Sequence, residues 1–247
     1  MKIGIISAMR EEMVELLNEL QNVTITHKGK RDYYQGILYE KEVVLVFSRW
    51  GKVASAVTTT QLINDFDLSE IIFTGVAGAL NHDLNIGDIV IGKYLFQHDM
   101  DASPIYPKFE IPLLHKTDFE PTKNQQLIIA TEKFLANFNQ LIPTEKAKNF
   151  NIIAPKMIEG TILSGDQFIS SKEKIIALLK DLPQADCVEM EGAAIAQVCY
   201  EYDIPFSIIR IISDKAMDNS HIDFQKFADE IASHYALSIL KNYFSQI

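Results

Sequence analysis

The sequence predicts an α/β fold: a sheet that is at least partly parallel, with helices covering its faces, built as one domain over residues 1–247. Three observations lead there. Short apolar runs rich in β-branched residues alternate with segments of helical periodicity. Of the 247 residues, 47% are apolar and 23% charged, enough apolar material for a large buried core. No composition shift, repeat or low-complexity stretch divides the chain.

Lys2 to Ser7 reads as a buried strand, and Met13, Leu16, Leu17 and Leu20 follow at the i, i+3, i+4, i+7 spacing of an amphipathic helix. Asp32 to Leu38 and Glu42 to Ser48 predict an antiparallel hairpin about a polar Tyr39–Lys41 connection. After Gly51 a helix is expected with Val53, Ala56, Val57, Thr60 and Ile63 inward, then a strand at Ile71–Phe73 ending in a Gly75–Gly78 loop, and another strand from Ile89 to Phe96. Pro104, Pro107, Pro112 and Pro121 exclude a regular element between Asp101 and Pro121, a length typical of lids and interface arms. Beyond it the pattern predicts a helix from Lys123 to Leu135, a strand from Ile158 to Leu163, a helix from Lys172 to Leu179 and a short strand at Cys187–Val188. A helix carrying Ile195, Val198, Cys199 and Tyr202, a strand from Phe206 to Ile212 and one long final helix through Phe224, Phe227, Ile231, Tyr235 and Ile239 complete the chain.

Charge and cysteine usage bound the function. With 23 Lys+Arg against 33 Asp+Glu the formal charge is −10, and the four arginines form no basic stripe for nucleic acid. Two cysteines outside any CxxC pair suit a reducing, cytoplasmic setting rather than a disulfide scaffold. Arg10, Glu11 and Glu12 end the first apolar run too early for a secretory segment, so neither signal peptide nor membrane span is expected.

In open α/β sheets ligands bind beyond the carboxyl ends of strands. Three such ends deliver carboxylates: Ser7 leads to Glu11 and Glu12, Val188 to Glu189 and Glu191, and Ile212 to Ser213 and Asp214. Position alone leaves each a second reading, as a complement to a helix dipole or as a cap. Arg210 interrupts the apolar run Ile208–Ile212, where an arginine needs a buried anion or acceptor, either a structural salt bridge or a site partner. The Gly75–Gly78 segment matches neither GxGxxG nor GxxxxGK[ST], and His98, Asp99 and Asp101 lack the spacing of a metal site; no cofactor or metal is expected.

The segments GIISAMREEM, TGVAGAL, GDIVIG, SGDQFI, VEMEGAAIAQV and IRIISD, in that order, resemble the 5′-methylthioadenosine/S-adenosylhomocysteine nucleosidases, within the nucleoside phosphorylase-I superfamily, from Met1 to about Leu240. VEMEGAA with the downstream ISD is the specific part. The resemblance implies a single-domain three-layer α/β/α fold with a central, mixed, twisted sheet flanked by helices, and hydrolysis of the N-glycosidic bond between adenine and a 5′-thio-substituted ribose. It makes Glu12 the general base for water and Asp214, after Ser213, the acid that protonates adenine N7, a pair with the logic of inverting glycosidases. It places Glu191 on the ribose hydroxyls beside Met190, where an anion favours the cationic ribosyl transition state. It sets Phe168 and Ile169 at adenine, Ala77 and Gly78 in the binding segment, Arg210 near the water, and Met9, Trp50 and Phe224 in an apolar 5′ pocket. It also implies a homodimer in which the 101–121 loop, through Ile105 and Pro112, closes the neighbouring site.

Three positions depart from the family's pattern: Val76 stands for a frequent serine that contacts the water, Trp50 for a smaller aliphatic residue, and Ala79 for a second glycine. Glu11 and Glu12 in the first loop disfavour a bound phosphate, and hence phosphorolysis. Nucleosidases for adenosine or aminodeoxyfutalosine would share the base and ribose contacts. A silent nucleoside-binding protein would need no acid and base together.

Overall fold

Each strand run of the sequence places its alternate residues on opposite faces of a sheet, and each face is covered by its own set of helices. The computed structural model describes residues 1–122, 124–216 and 220–247; Lys123, expected to open a helix, lies outside them. The strands are β1 (Lys2–Ser7), β2 (Gln21–Lys28), β3 (Arg31–Leu38), β4 (Lys41–Phe47), β5 (Leu68–Ala79), β6 (Ile89–Gln97), β7 (Asp118–Phe119), β8 (Met157–Ser164), β9 (Ala185–Glu189) and β10 (Phe206–Asp214). The helices are α1 (Val14–Glu19), α2 (Lys52–Asp65), α3 (Asn124–Ala136), α4 (Phe138–Leu141), α5 (Thr144–Asn149), α6 (Lys172–Asp181), α7 (Gly192–Glu201), α8 (Ser220–Phe227) and α9 (Ser233–Phe244).

The sheet is mixed. β1 lies parallel between β4 and β5, pairing Ile5 with Leu45 on one side and Ile72 on the other. β5, β10, β6, β8 and β9 close on one another in a ring, because β5 pairs with β10 in parallel and with β9 antiparallel. β3 and β2 extend the opposite edge. Ile3, Ile5, Val43 and Leu45 face one core with α1, α3 and α9, whereas Ile6, Val44, Val46 and Phe73 face a second with α2 and α7. The β3–β4 hairpin turns on Tyr39 (φ 47°) and Glu40 (φ 66°), the paired left-handed residues of a two-residue turn whose twist matches the strands.

Several expectations are corrected. On α2, Val53 and Val57 point outward, 74% and 51% exposed, and Ser55, Thr58, Thr59 and Leu62 face the sheet. The buried hydroxyls are tolerated because Thr58 Oγ1 donates to the Ala54 carbonyl at 2.7 Å and Thr59 Oγ1 to that of Ser55 at 2.8 Å. Gly75–Gly78 is not a loop but the end of β5, held between β9 and β10. β2 escapes an apolar-alternation test because it is an exposed edge strand. The 101–121 segment does contain regular pairing, β7 on β6 and an Ile111–Lys116 bridge. The final helix is interrupted by a π-helical turn, Ala228–Ala232, whose extra residue keeps Ala228, Ile231, Ala232 and Tyr235 all buried.

Candidate active site

The ends of β1, β5, β9 and β10 converge on one open-mouthed cleft. Its polar wall begins at Glu12, in a single 3₁₀ turn (Glu11–Met13) directly after β1. The side chain is buried, 2% exposed, while Glu11 beside it is exposed. Glu12 Oε2 accepts from the N–H groups of Ala8 at 2.9 Å and Met9 at 3.0 Å, and Oε1 from the N–H of Val76 at 3.0 Å. Burial raises its carboxyl above the usual range, an effect that the Arg210 charge and these three donors reduce. The carboxylate therefore turns back onto the loop before it, which excludes a mere helix-dipole role.

Arg210 is buried behind the same wall. Its guanidinium lies 3.7 Å from the Phe73 ring centroid, and Nη2 donates to Glu189 Oε2 and lies 3.9 Å from Glu191 Oε2. Arg210 Nη1 and Glu12 Oε1 meet above Gly75: a Cβ there would come within 2.7 Å of Oε1 and still closer to Nη1, so only glycine fits. Among the described residues Nη1 and Nε have no hydrogen-bond partner, leaving guanidinium donors beside the Glu12 carboxylate.

Glu189, the strand-end carboxylate two residues before Glu191, belongs to this wall. Its carboxylate caps the start of α7, accepting from the N–H groups of Glu191 at 3.1 Å and Gly192 at 2.9 Å, and it accepts from Ser164 Oγ. Glu191 Oε1 in turn accepts from the Gly51 N–H at 2.8 Å. Burial and the adjacent Glu189 charge push the Glu191 carboxyl up to about 8. The signal available in sequence was the pairing of a buried-strand arginine with two glutamates two residues apart.

On the opposite side, Asp214 ends β10 in register with Gly78 of β5. It is 1% exposed; Oδ1 accepts from the Ala216 N–H at 2.7 Å and Oδ2 from Ser213 Oγ at 2.8 Å. Ala77 and Gly78 line the floor between Glu12 and Asp214. The apolar wall carries Met9, Met190, Phe168, Ile169 and, at the mouth, Trp50 and Phe224. Phe224 meets the ring edges of Trp50 at 5.9 Å and Phe168 at 5.7 Å. Ile105 and Pro112 lie outside the cleft, Ile105 being 83% exposed. Asp99 is taken by Lys52 Nζ at 2.5 Å and the Asp166 N–H at 2.9 Å, and no metal-binding cluster of His, Cys, Asp or Glu occurs among the described residues.

A family model for the phosphorylase superfamily matches residues 2–245. The chain belongs to that superfamily. A 5′-methylthioadenosine/S-adenosylhomocysteine nucleosidase of Shewanella pealeana is 35% identical over 240 residues, covering 97% of each chain. An aminodeoxyfutalosine nucleosidase of Helicobacter pylori is 37% identical over 243 residues, 98% of this chain and 97% of its own. The solved 5′-methylthioadenosine/S-adenosylhomocysteine nucleosidase of Neisseria meningitidis, in complex with methylthio-immucillin-A, shares the fold at a TM-score of 0.84 and 32% identity, over 100% of this chain and 99% of that one. In this superfamily member Val76 holds Glu12 through its backbone N–H, which no side chain at that position needs to supply. Trp50 stands half exposed at the rim instead of filling the floor.

Proposed function

We propose that this chain hydrolyses the N-glycosidic bond of 5′-methylthioadenosine and S-adenosylhomocysteine, releasing adenine and the 5′-thio-substituted ribose. One observation carries the reading: two buried carboxyl groups, Glu12 and Asp214, are anchored two residues apart on β5, at Val76 and Gly78, with a third, Glu191, on the same cleft. Two residues along a strand span roughly 7 Å, within the range at which a carboxyl pair can act on opposite sides of a glycosidic bond with a water between.

Glu12, with the Arg210 donors beside it, takes a proton from water as that water attacks the anomeric carbon. Asp214 delivers a proton to adenine N7, so the base leaves neutral. Glu191 accepts from the ribose hydroxyls, and the positive charge that develops on the ribose favours its ionised form. Water is preferred to phosphate because the Ala8 and Met9 N–H groups at the end of β1, which could bind an anion, are already occupied by the Glu12 carboxylate.

Adenine release from both nucleosides in phosphate-free buffer, unchanged when phosphate is added, is the expected result; release only with phosphate would overturn the hydrolytic reading. The 37% identity to the Helicobacter pylori aminodeoxyfutalosine nucleosidase favours that nucleoside as the second candidate, and it belongs in the same assay.

A homodimer completes the proposal. Val53 and Val57, one turn apart on α2, and Ile105 and Leu113 of the 101–121 loop are large apolar side chains left 51–83% exposed, a pattern suited to burial against a second copy. Val57→Asp is expected to shift the mass measured by light scattering from two chains to one and to weaken substrate binding; a one-chain mass for the unmodified protein would refute the dimer. The buried, unpaired Cys187 and Cys199, both with thiols pushed up by burial, suit a cytoplasmic location.

A further inference from the structure

The nucleoside cleft does not end at Trp50. Past Ala8, Met9 and Trp50, which it shares with the cleft, an open groove continues outward between the end of β1 and the β4–α2 turn, and Arg10, Glu11 and Arg49 line it. A chain of net charge −10 with four arginines in all has placed two of them here. Neither guanidinium has a carboxylate partner among the described residues: Arg10 makes no ion pair, and Arg49 Nη2 donates only to the Lys30 carbonyl at 2.5 Å. Arg49 also sits at φ 71°, a left-handed backbone that favours glycine, so a long cationic side chain stands where the conformation disfavours one.

We propose that this groove binds the amino-acid end of a 5′-thio substituent, with Arg10 and Arg49 taking its carboxylate and Glu11 its ammonium group. The inference rests on the nucleosidase reading and names what distinguishes its two substrates, for methylthioadenosine ends at the apolar Met9–Trp50 collar and S-adenosylhomocysteine reaches beyond it. Two guanidinium groups and one carboxylate lining the same groove match a zwitterion, and the apolar collar suits the thioether and methylenes that precede it.

The test compares kcat/KM for S-adenosylhomocysteine, its decarboxylated analogue and methylthioadenosine in the unmodified protein, in Arg10→Gln and in Arg49→Gly, the latter fitting the positive φ without strain. Each substitution is expected to lower the ratio of S-adenosylhomocysteine to methylthioadenosine about tenfold, carried in KM, the scale of one charge-assisted hydrogen bond in a partly wet site. The decarboxylated analogue should show the same deficit with the unmodified protein and no further loss in either variant. Raising the ionic strength should erode the ratio in the unmodified protein alone. A ratio that stays within twofold in both variants, while methylthioadenosine is still cleaved, overturns the tail site and leaves the nucleosidase standing. Failure of the unmodified protein to release adenine from methylthioadenosine fells both.

Discussion

Asp214→Asn is expected to lower kcat for adenine release by about 10²–10⁴-fold, the range associated with a positioned proton donor, with no loss of thermal stability. The substitution keeps the shape and an acceptor oxygen for the Ala216 N–H, so the end of β10 has no reason to rearrange. What it removes is a transferable proton at the adenine side of the cleft, without which the base departs as an anion. Single-turnover adenine release measures the effect, and a loss of less than tenfold would mean that the acid lies elsewhere. A riboside whose leaving group is already a weak base, such as a nitrophenolate, separates acid catalysis from misfolding: the variant should cleave it nearly as fast as the unmodified protein does.

Arg210→Met should remove both activity and stability. The guanidinium is the cation among three buried carboxyl groups, bonded to Glu189, close to Glu191 and lowering the carboxyl of Glu12. Taking one partner from a buried ion pair destabilises by about 3–5 kcal/mol because the other charge stays buried. For a chain of this size that lowers Tm by roughly 6–20 °C. The sign for the site follows from the same charges: without Arg210 the carboxyls of Glu12 and Glu191 both rise further, so less of the general base is ionised near neutrality. Thermal denaturation of Arg210→Met beside the double variant with Glu189→Gln checks the origin. The second substitution should restore part of the stability and none of the activity; no recovery would place the effect in lost packing against Phe73.

Much of this was legible in the sequence where burial forces a pattern. The strands of the central sheet read as apolar runs because both faces are covered, and Arg210 stood out because nothing else in its run was polar. The catalytic candidates were legible as strand-end residues, and family resemblance rather than spacing assigned their roles. The failures have separate causes. On α2 the apolar stripe marks an outward face, and the inward face hides hydroxyls that bond to their own helix, so periodicity pointed the wrong way. β2 has no buried face to create alternation, and its existence depends on β3 alone. Glu189 could be read equally as part of a helix start, which it also is; its ion pair with Arg210 required the closure of the strand ring.

The hydrogen bond from Gly51 to Glu191 joins two events that would otherwise be separate. Gly51 follows Trp50 at the cleft mouth, holds φ 94° and lies so close to Asp166 that a Cβ would come within 2.8 Å of its carboxylate. The turn carrying Trp50 is thus latched to the carboxylate proposed to hold the sugar. Any substitution that displaces the Gly51 N–H is therefore expected to disturb the cleft mouth and the sugar-side carboxylate together, although the two lie 140 residues apart in the chain.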